Sequence, residues 1–227
     1  KQQNGPGFWA YFFVFTAVYF SMDTLQFGTN KEEIFSTILY VSVPLLAMIA
    51  FVYGGLKRKR IHAIALLITF AMCVMSIATH LATESQLNMK YFFEIMVILQ
   101  AYLICTVVTV EVFKRAFTNV MSVLAVVSVA GFALRYIYPG IVNHIPVLTN
   151  LSDLKYGNLL LTTIPHDVMY VTFRNYGIFR EPGVYQFFLN LALIFLLEKP
   201  NVAKSWQLYS LLVAMVFTFS TAGYILA

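Results

Sequence analysis

FTNVMSVLAVVSVAGFALRYIY, residues 117–138, carries one charge, Arg135, and shows no alternation of apolar and polar positions. As an α-helix rising about 1.5 Å per residue, this run is a rod of roughly 30 Å, the thickness of bilayer hydrocarbon. Inside hydrocarbon no water satisfies the backbone, so a chain crosses only as a helix or a closed barrel. A long run without period-two patterning selects the helix.

Six further runs flank it: Phe8–Phe27 (with Asp23 near its end), Ile34–Leu56, Ile61–Thr83, Phe92–Phe113, Val184–Leu197 and Trp206–Ala227. The sixth run in chain order, Val184–Leu197, is short unless Glu181-Pro182-Gly183 begins its helix, a position that suits proline. Hydrophobic residues make up 60% of the chain, charged residues 11%, and the mean hydropathy is +0.77. An ordinary soluble domain has about 45–50% and about 25%. The sequence therefore predicts an all-α, polytopic transmembrane helix bundle of about seven spans. Residues 1–138 would supply five spans, 139–183 an outer loop, and 184–227 two more. The chain lacks an initial Met and stops within its last run, so we expect a piece of a longer protein.

The net charge of +5 is no nucleic-acid footprint, because most basic residues fall in short loops between runs. With the N-terminus taken as cytoplasmic, the inner segments hold nine basic residues: Lys1, Lys57, Arg58, Lys59, Arg60, Lys114, Arg115, Lys199 and Lys204. The outer segments hold five: Lys31, Lys90, Lys155, Arg174 and Arg180. The bias of Lys and Arg toward the cytoplasmic side favours this orientation and puts residues 139–183 outside. That loop, 45 residues long, exceeds usual connection lengths, and such loops tend to carry function or be disordered. Its apolar stretches, such as Leu159-Leu160-Leu161, suit packing at the mouth of the bundle. Cys73 and Cys105 each lie inside an apolar run, and neither disulfide nor metal-ligand spacing is visible. No cleavable signal peptide is recognisable at the N-terminal run.

Most polar residues within the runs have ordinary explanations. Glu94 follows Lys90 by four residues, and Glu111 precedes Lys114 and Arg115 by three and four, both spaced for one-face ion pairs. Gln100, in mid-run, suits a hydrogen bond between helices. His62 adjoins the basic inner segment. His80 and Arg135 approach the outer face, where snorkelling explains them as well as function does.

The segment from Arg174 to Gly183, RNYGIFREPG, stands apart. Two arginines flank Tyr176-Gly177 and end against Glu181 at the entrance of a span. Charge next to a bilayer core is costly, which marks the cluster as a candidate site. A pair of guanidinium forks matches phosphate or diphosphate oxygens and stays charged. Glu181-Pro182-Gly183 also reads as a helix start, with an acid at the positive end of the dipole.

This segment, with Phe217 to Tyr224 (FTFSTAGY) one span later, resembles the signature of the O-antigen polymerase and ligase superfamily, the Wzy-like membrane glycosyltransferases. The two motifs, in the family's order, cover about 50 of the 227 residues; the earlier spans match in hydropathy alone. The resemblance implies a GT-C-like bundle in the bacterial inner membrane that acts on undecaprenyl-diphosphate-linked oligosaccharide. The product would be O-antigen, capsule or exopolysaccharide of the cell envelope, with no cofactor or metal. Flippase and chain-length regulator proteins would be its partners. Arg174 and Arg180 would bind the diphosphate, and Glu181 would orient an arginine or accept the acceptor's proton. Gly177, Pro182, Gly183, Ser220, Thr221 and Gly223 would shape the motifs, with Arg135 and His166 as secondary candidates. A transporter gated by the outer loop is the alternative from another class. A membrane acyltransferase would want a His/Asp constellation, for which His166-Asp167 is a faint match.

The orientation is testable by cysteine labelling in intact cells. An impermeant reagent should label a cysteine at position 150 and spare one at position 59; the reverse pattern would invert the topology.

Overall fold

The computed structural model describes residues 7–20, 24, 42, 45–46, 48–49, 52, 63–83, 89–149, 155–166, 174–179 and 181–219, with the backbone alone at 83 and 89–93. Most of the run Ile34–Leu56 lies outside these residues, as do Lys57–Arg60, Arg180, Ser220, Thr221 and Gly223. Among the described residues the named α-helices are α1 (Phe8–Tyr19), α2 (Ala63–Thr83), α3 (Met89–Val107), α4 (Val110–Ile137), α5 (Pro182–Leu197) and α6 (Trp206–Thr218). Two are long and apolar enough to cross a membrane by length and composition: residues Ala63–Ala82 of α2, and α4.

Two features differ from the sequence reading. The fold is not all-α: between α4 and α5 lie a short 3-10 helix, Pro139–Asn143, and three antiparallel strands in the order β1 (Val147–Thr149), β2 (Lys155–Asn158) and β3 (Thr163–Pro165). The alternation in so few residues is too brief to register beside runs of twenty. The break between the fourth and fifth runs falls at Val108-Thr109, earlier than the charges suggested. Lys114 and Arg115 therefore belong to the first turns of α4, because long basic stems continue a helix readily. Glu94, expected to pair with Lys90, whose side chain lies outside the described residues, meets a neighbouring helix. His80 Nε2 lies 2.9 Å from Glu94 Oε2, and the Ser76 hydroxyl donates to the same oxygen at 3.1 Å.

The chain divides into two compact units, residues 1–36 with 113–227, and residues 37–112. In the second, α2 packs on α3. The outer face of α2 is apolar throughout, with Ile64, Leu67, Phe70 and Met75 exposed.

In the first unit, the buried face of α4 is built from small and hydroxyl residues at three- and four-residue spacing: Thr118, Ser122, Ala125, Ser128 and Gly131. Small residues allow close backbone approach, the usual device where apolar collapse cannot drive helices together. The hydroxyls of Thr118 and Ser122 donate to carbonyls one turn back, at 2.8 and 2.7 Å, so their burial leaves no donor unmet. Phe117 and Phe188 stack at 6.3 Å, Phe113 and Phe117 both meet Phe195 edge-on, and Phe132 touches Phe217 at 5.1 Å.

Side-chain bonds fix the helix polarity. Lys114 Nζ donates to both oxygens of Glu198 (3.0 and 2.7 Å), joining the start of α4 to the end of α5. Asn119 Nδ2 donates to the Tyr11 hydroxyl at 2.6 Å, and Gln207 Nε2 donates to Asn119 Oδ1, bringing the starts of α1, α4 and α6 to one level. At the opposite end Tyr185, at the start of α5, meets Ser128 of α4, and Thr218, at the end of α6, meets Gln186. Lys114, Arg115 and Glu198 thus share one end, and the strand-bearing loop caps the other.

Asn119 bridges three helices. Asn119→Leu should cost about 1–2 kcal/mol, the upper range for polar bonds between apolar helices. Unfolding in mixed micelles measures this, and wild-type stability in the variant would remove Asn119 from any structural role.

Candidate functional site

The segment 174–179 is folded back onto the bundle by its smallest polar side chain. Asn175 is buried; its Nδ2 donates to Ser128 Oγ at 2.9 Å and its Oδ1 accepts from the Gly177 N–H at 3.0 Å. Its own N–H donates to the Phe217 carbonyl near the end of α6 at 2.7 Å. Ser128 Oγ lies 2.7 Å from the Tyr185 hydroxyl. Because the Ser128 proton points to the Ala125 carbonyl (2.9 Å), the Tyr185 hydroxyl is the donor. One serine oxygen on α4 therefore gathers the loop and α5.

Gly177 is the pivot. Its φ of 55° is the left-handed region, and an added Cβ would stand 2.9 to 3.1 Å from ring atoms of the fully buried Tyr185. Both facts require glycine. The Gly177 carbonyl accepts from the N–H (2.7 Å) and the hydroxyl (2.9 Å) of Thr163, tying the turn to β3. Phe179 then stacks on Tyr185 and Phe188, at 5.6 and 4.6 Å, and bridges to Thr24 beyond α1.

The sheet brings in a residue that the sequence did not advertise. Tyr156 on β2 pairs across the strands with Leu148 and Pro165, is buried, and meets the Tyr176 ring edge-on at 5.6 Å. Burial holds Tyr156 far above its ordinary pKa, and Tyr176 and the Glu181 carboxylate add to the rise. Burial raises Tyr176 as well; Arg174 and Tyr156 oppose that, and Glu181 adds to it. Both phenols therefore stay neutral; the Glu181 charge bears on both, and that of Arg174 on Tyr176.

Arg174 and Glu181 are exposed, so the structure presents this cation and this anion at the surface of a turn whose centre is buried. Glu181 occupies the N-cap of α5, and Pro182, buried, takes its first position, as the sequence predicts. The Glu181 side chain makes no capping bond, however, and the first intrahelical bond runs from the Tyr185 N–H to the Glu181 carbonyl at 3.1 Å. The helix start thus uses this residue's backbone rather than its charge. Gly183 is exposed in the first turn. Arg135 lies in the last turn of α4, where a cation suits the negative helix end. His166 ends the sheet, its N–H bonded to the Lys155 carbonyl at 2.8 Å. Arg180, Ser220, Thr221 and Gly223 lie outside the described residues. Among the described residues no cluster of three metal-ligating side chains occurs.

Sequence reasoning missed Asn175, Ser128, Tyr185 and Tyr156. A serine within a run of valines and alanines carries no local sign of its role; Asn175 alone gave a hint, lying between the arginine and the glycine of the motif. No family model, curated protein or solved structure matches this chain.

Gly177→Ala should destabilise the protein by about 2 kcal/mol or more, from left-handed strain and the Tyr185 contact. Gly140→Ala, where the nearest atom is 3.7 Å away, should be close to neutral. Thermal unfolding of both purified variants checks the contrast, and equal stability would remove the pivot.

Proposed function

We propose that this protein is a polytopic glycosyltransferase of the bacterial inner membrane, polymerising or ligating undecaprenyl-diphosphate-linked oligosaccharide. In this reading the chain contributes about seven spans to a GT-C-like bundle, and residues 139–183 face outward. The observation that carries the reading is the rigid turn between Arg174 and Glu181. Its centre is locked by Asn175 and Gly177 while its two charges are left at the surface. A site that stabilises developing charge must hold its ionic groups fixed before reaction, because reorganisation at the moment of transfer would consume the gain.

The acceptor sugar's hydroxyl attacks the anomeric carbon of the donor, a new C–O bond forms, and the bond to the lipid diphosphate breaks. The leaving diphosphate carries the electron pair away. Arg174, with Arg180, meets the growing negative charge with guanidinium donors. The acceptor's proton leaves to solvent or to Glu181. We assign Glu181 the orienting part, since an exposed carboxylate beside arginine keeps the guanidinium aimed.

The second reading, a transporter, draws support from one observation. His80 and Glu94 form an ionisable pair between two apolar helices, the kind of group that coupled transport employs. Purified protein in detergent separates the two, since glycosyl transfer needs no sealed compartment.

In that assay Arg174→Ala should lose about a hundredfold in rate, roughly 3 kcal/mol of charge stabilisation. Arg174→Lys should also be poor, because an ammonium does not reproduce the planar fork. Glu181→Gln should lose little; a fall of about a thousandfold in folded protein would instead make Glu181 the general base. Full activity in Arg174→Ala would overturn the diphosphate assignment.

A further inference from the structure

The three-stranded sheet supplies no group to the chemistry proposed above, yet it carries the turn that holds Arg174. Leu148, Tyr156 and Pro165 stand directly opposite one another on β1, β2 and β3. Residues opposite in a sheet share one face, and all three are buried there. Tyr156, in the central strand, is 1% exposed. The Tyr176 ring meets its ring edge-on, with centroids 5.6 Å apart and planes at 66°, a preferred geometry for an aromatic pair. Gly157, next on β2, addresses the opposite face. A Cβ added at Gly157 would run into the Ile145 side chain. Strand β2 is therefore held at both edges by the ladder and clamped between Ile145 and Tyr176.

Tyr176 sits between two ties of the segment 174–179. On one side Asn175 is bonded to Ser128 and to the Phe217 carbonyl; on the other the Gly177 carbonyl accepts from Thr163. Two pinned points leave a short chain free to swing about the line that joins them. A third contact off that line stops the swing, and the Tyr176 ring on Tyr156 is such a contact. Tyr176 is 7% exposed, whereas Arg174, two residues earlier, is exposed. The direction in which the Arg174 backbone offers its side chain follows from how Tyr176 is seated.

We propose that Tyr156 is a positioning residue for glycosyl transfer: its ring is the third support of the turn and sets the place from which Arg174 meets the leaving diphosphate. The inference rests on the glycosyl-transfer reading, to which it adds a residue that touches neither substrate nor product. A misplacement of about 1 Å can cost on the order of a hundredfold in rate. A support beneath a charged group therefore matters even while the charge itself is intact.

The test measures kcat and KM for transfer from undecaprenyl-diphosphate-linked oligosaccharide by the purified full chain in detergent. Tyr156→Leu, which removes the ring, should lower kcat about tenfold and leave KM for the donor close to wild type. Tyr156→Phe keeps the ring and should recover most of the loss. Residues that act as one unit are not additive, so in an Arg174→Ala background Tyr156→Leu should change the rate less than about twofold. A further fall of about tenfold in the double variant overturns the positioning role and leaves the glycosyl-transfer reading standing. Full activity in Arg174→Ala overturns that reading, and this inference with it. Hydrogen exchange at residues 174–179 needs no enzyme assay. The Asn175 N–H should exchange about tenfold faster in Tyr156→Leu, the upper worth of an edge-to-face pair. Unchanged exchange there overturns the hold of Tyr156 on the turn, whatever the reaction. If Tyr156→Leu does not fold, Tyr176→Leu removes the same contact from the other side and takes its place in both measurements.

Discussion

The oxygen of Ser128 holds together the loop-bearing end of the first unit. In an apolar core an unmet donor is costly, and the donors that meet at Ser128 are matched. Ser128 accepts from Asn175 and from Tyr185 and donates back to Ala125, which uses its full capacity. Through those bonds the fifth helix starts against the fourth, and the loop between them is drawn inward. Without that acceptor Asn175 and Tyr185 would carry unpaired donors into the core, and the turn at Gly177 would lose its floor.

That single node explains how residues 174–179 are held against the bundle. Gly131 of α4, one turn beyond Ser128, lets Thr162 approach to a distance that an added Cβ would reduce to 2.6 Å. The Tyr19 hydroxyl donates to the Leu160 carbonyl at 3.0 Å, pinning the turn between β2 and β3 to α1. The leucines of that turn are the apolar stretch that the sequence expected at the bundle mouth. With its neutral residues anchored, the segment leaves Arg174 and Glu181 exposed, and an ionic site gains most when the groups around it are already fixed. At the opposite end of the unit, Lys114 is held by Glu198.

Polar residues inside the helices turn out to be mostly connectors. Asn119 and Gln207 join three helices, Thr218 donates to Gln186 at 2.8 Å, and Glu94 collects Ser76 and His80. Each was visible as a polar interruption of an apolar run. None declared its partner, because the partners lie on other helices, 18 to 108 residues away in most cases.

The sequence by itself determined the helical character of the described runs, since length and hydropathy are properties of a run taken alone. It determined the start of α5, because proline suits a first turn irrespective of surroundings. It also singled out the segment from Arg174 to Gly183, since charge beside an apolar run is anomalous wherever it occurs. Only the tertiary structure decided that Lys114 and Arg115 sit within α4, that a three-stranded sheet interrupts the helices, and that Tyr156 lies under Tyr176. Those outcomes depend on which distant groups meet. A three-residue strand exists through its partners, and a buried serine becomes a hub only when an asparagine and a tyrosine arrive from 47 and 57 residues away to share its oxygen.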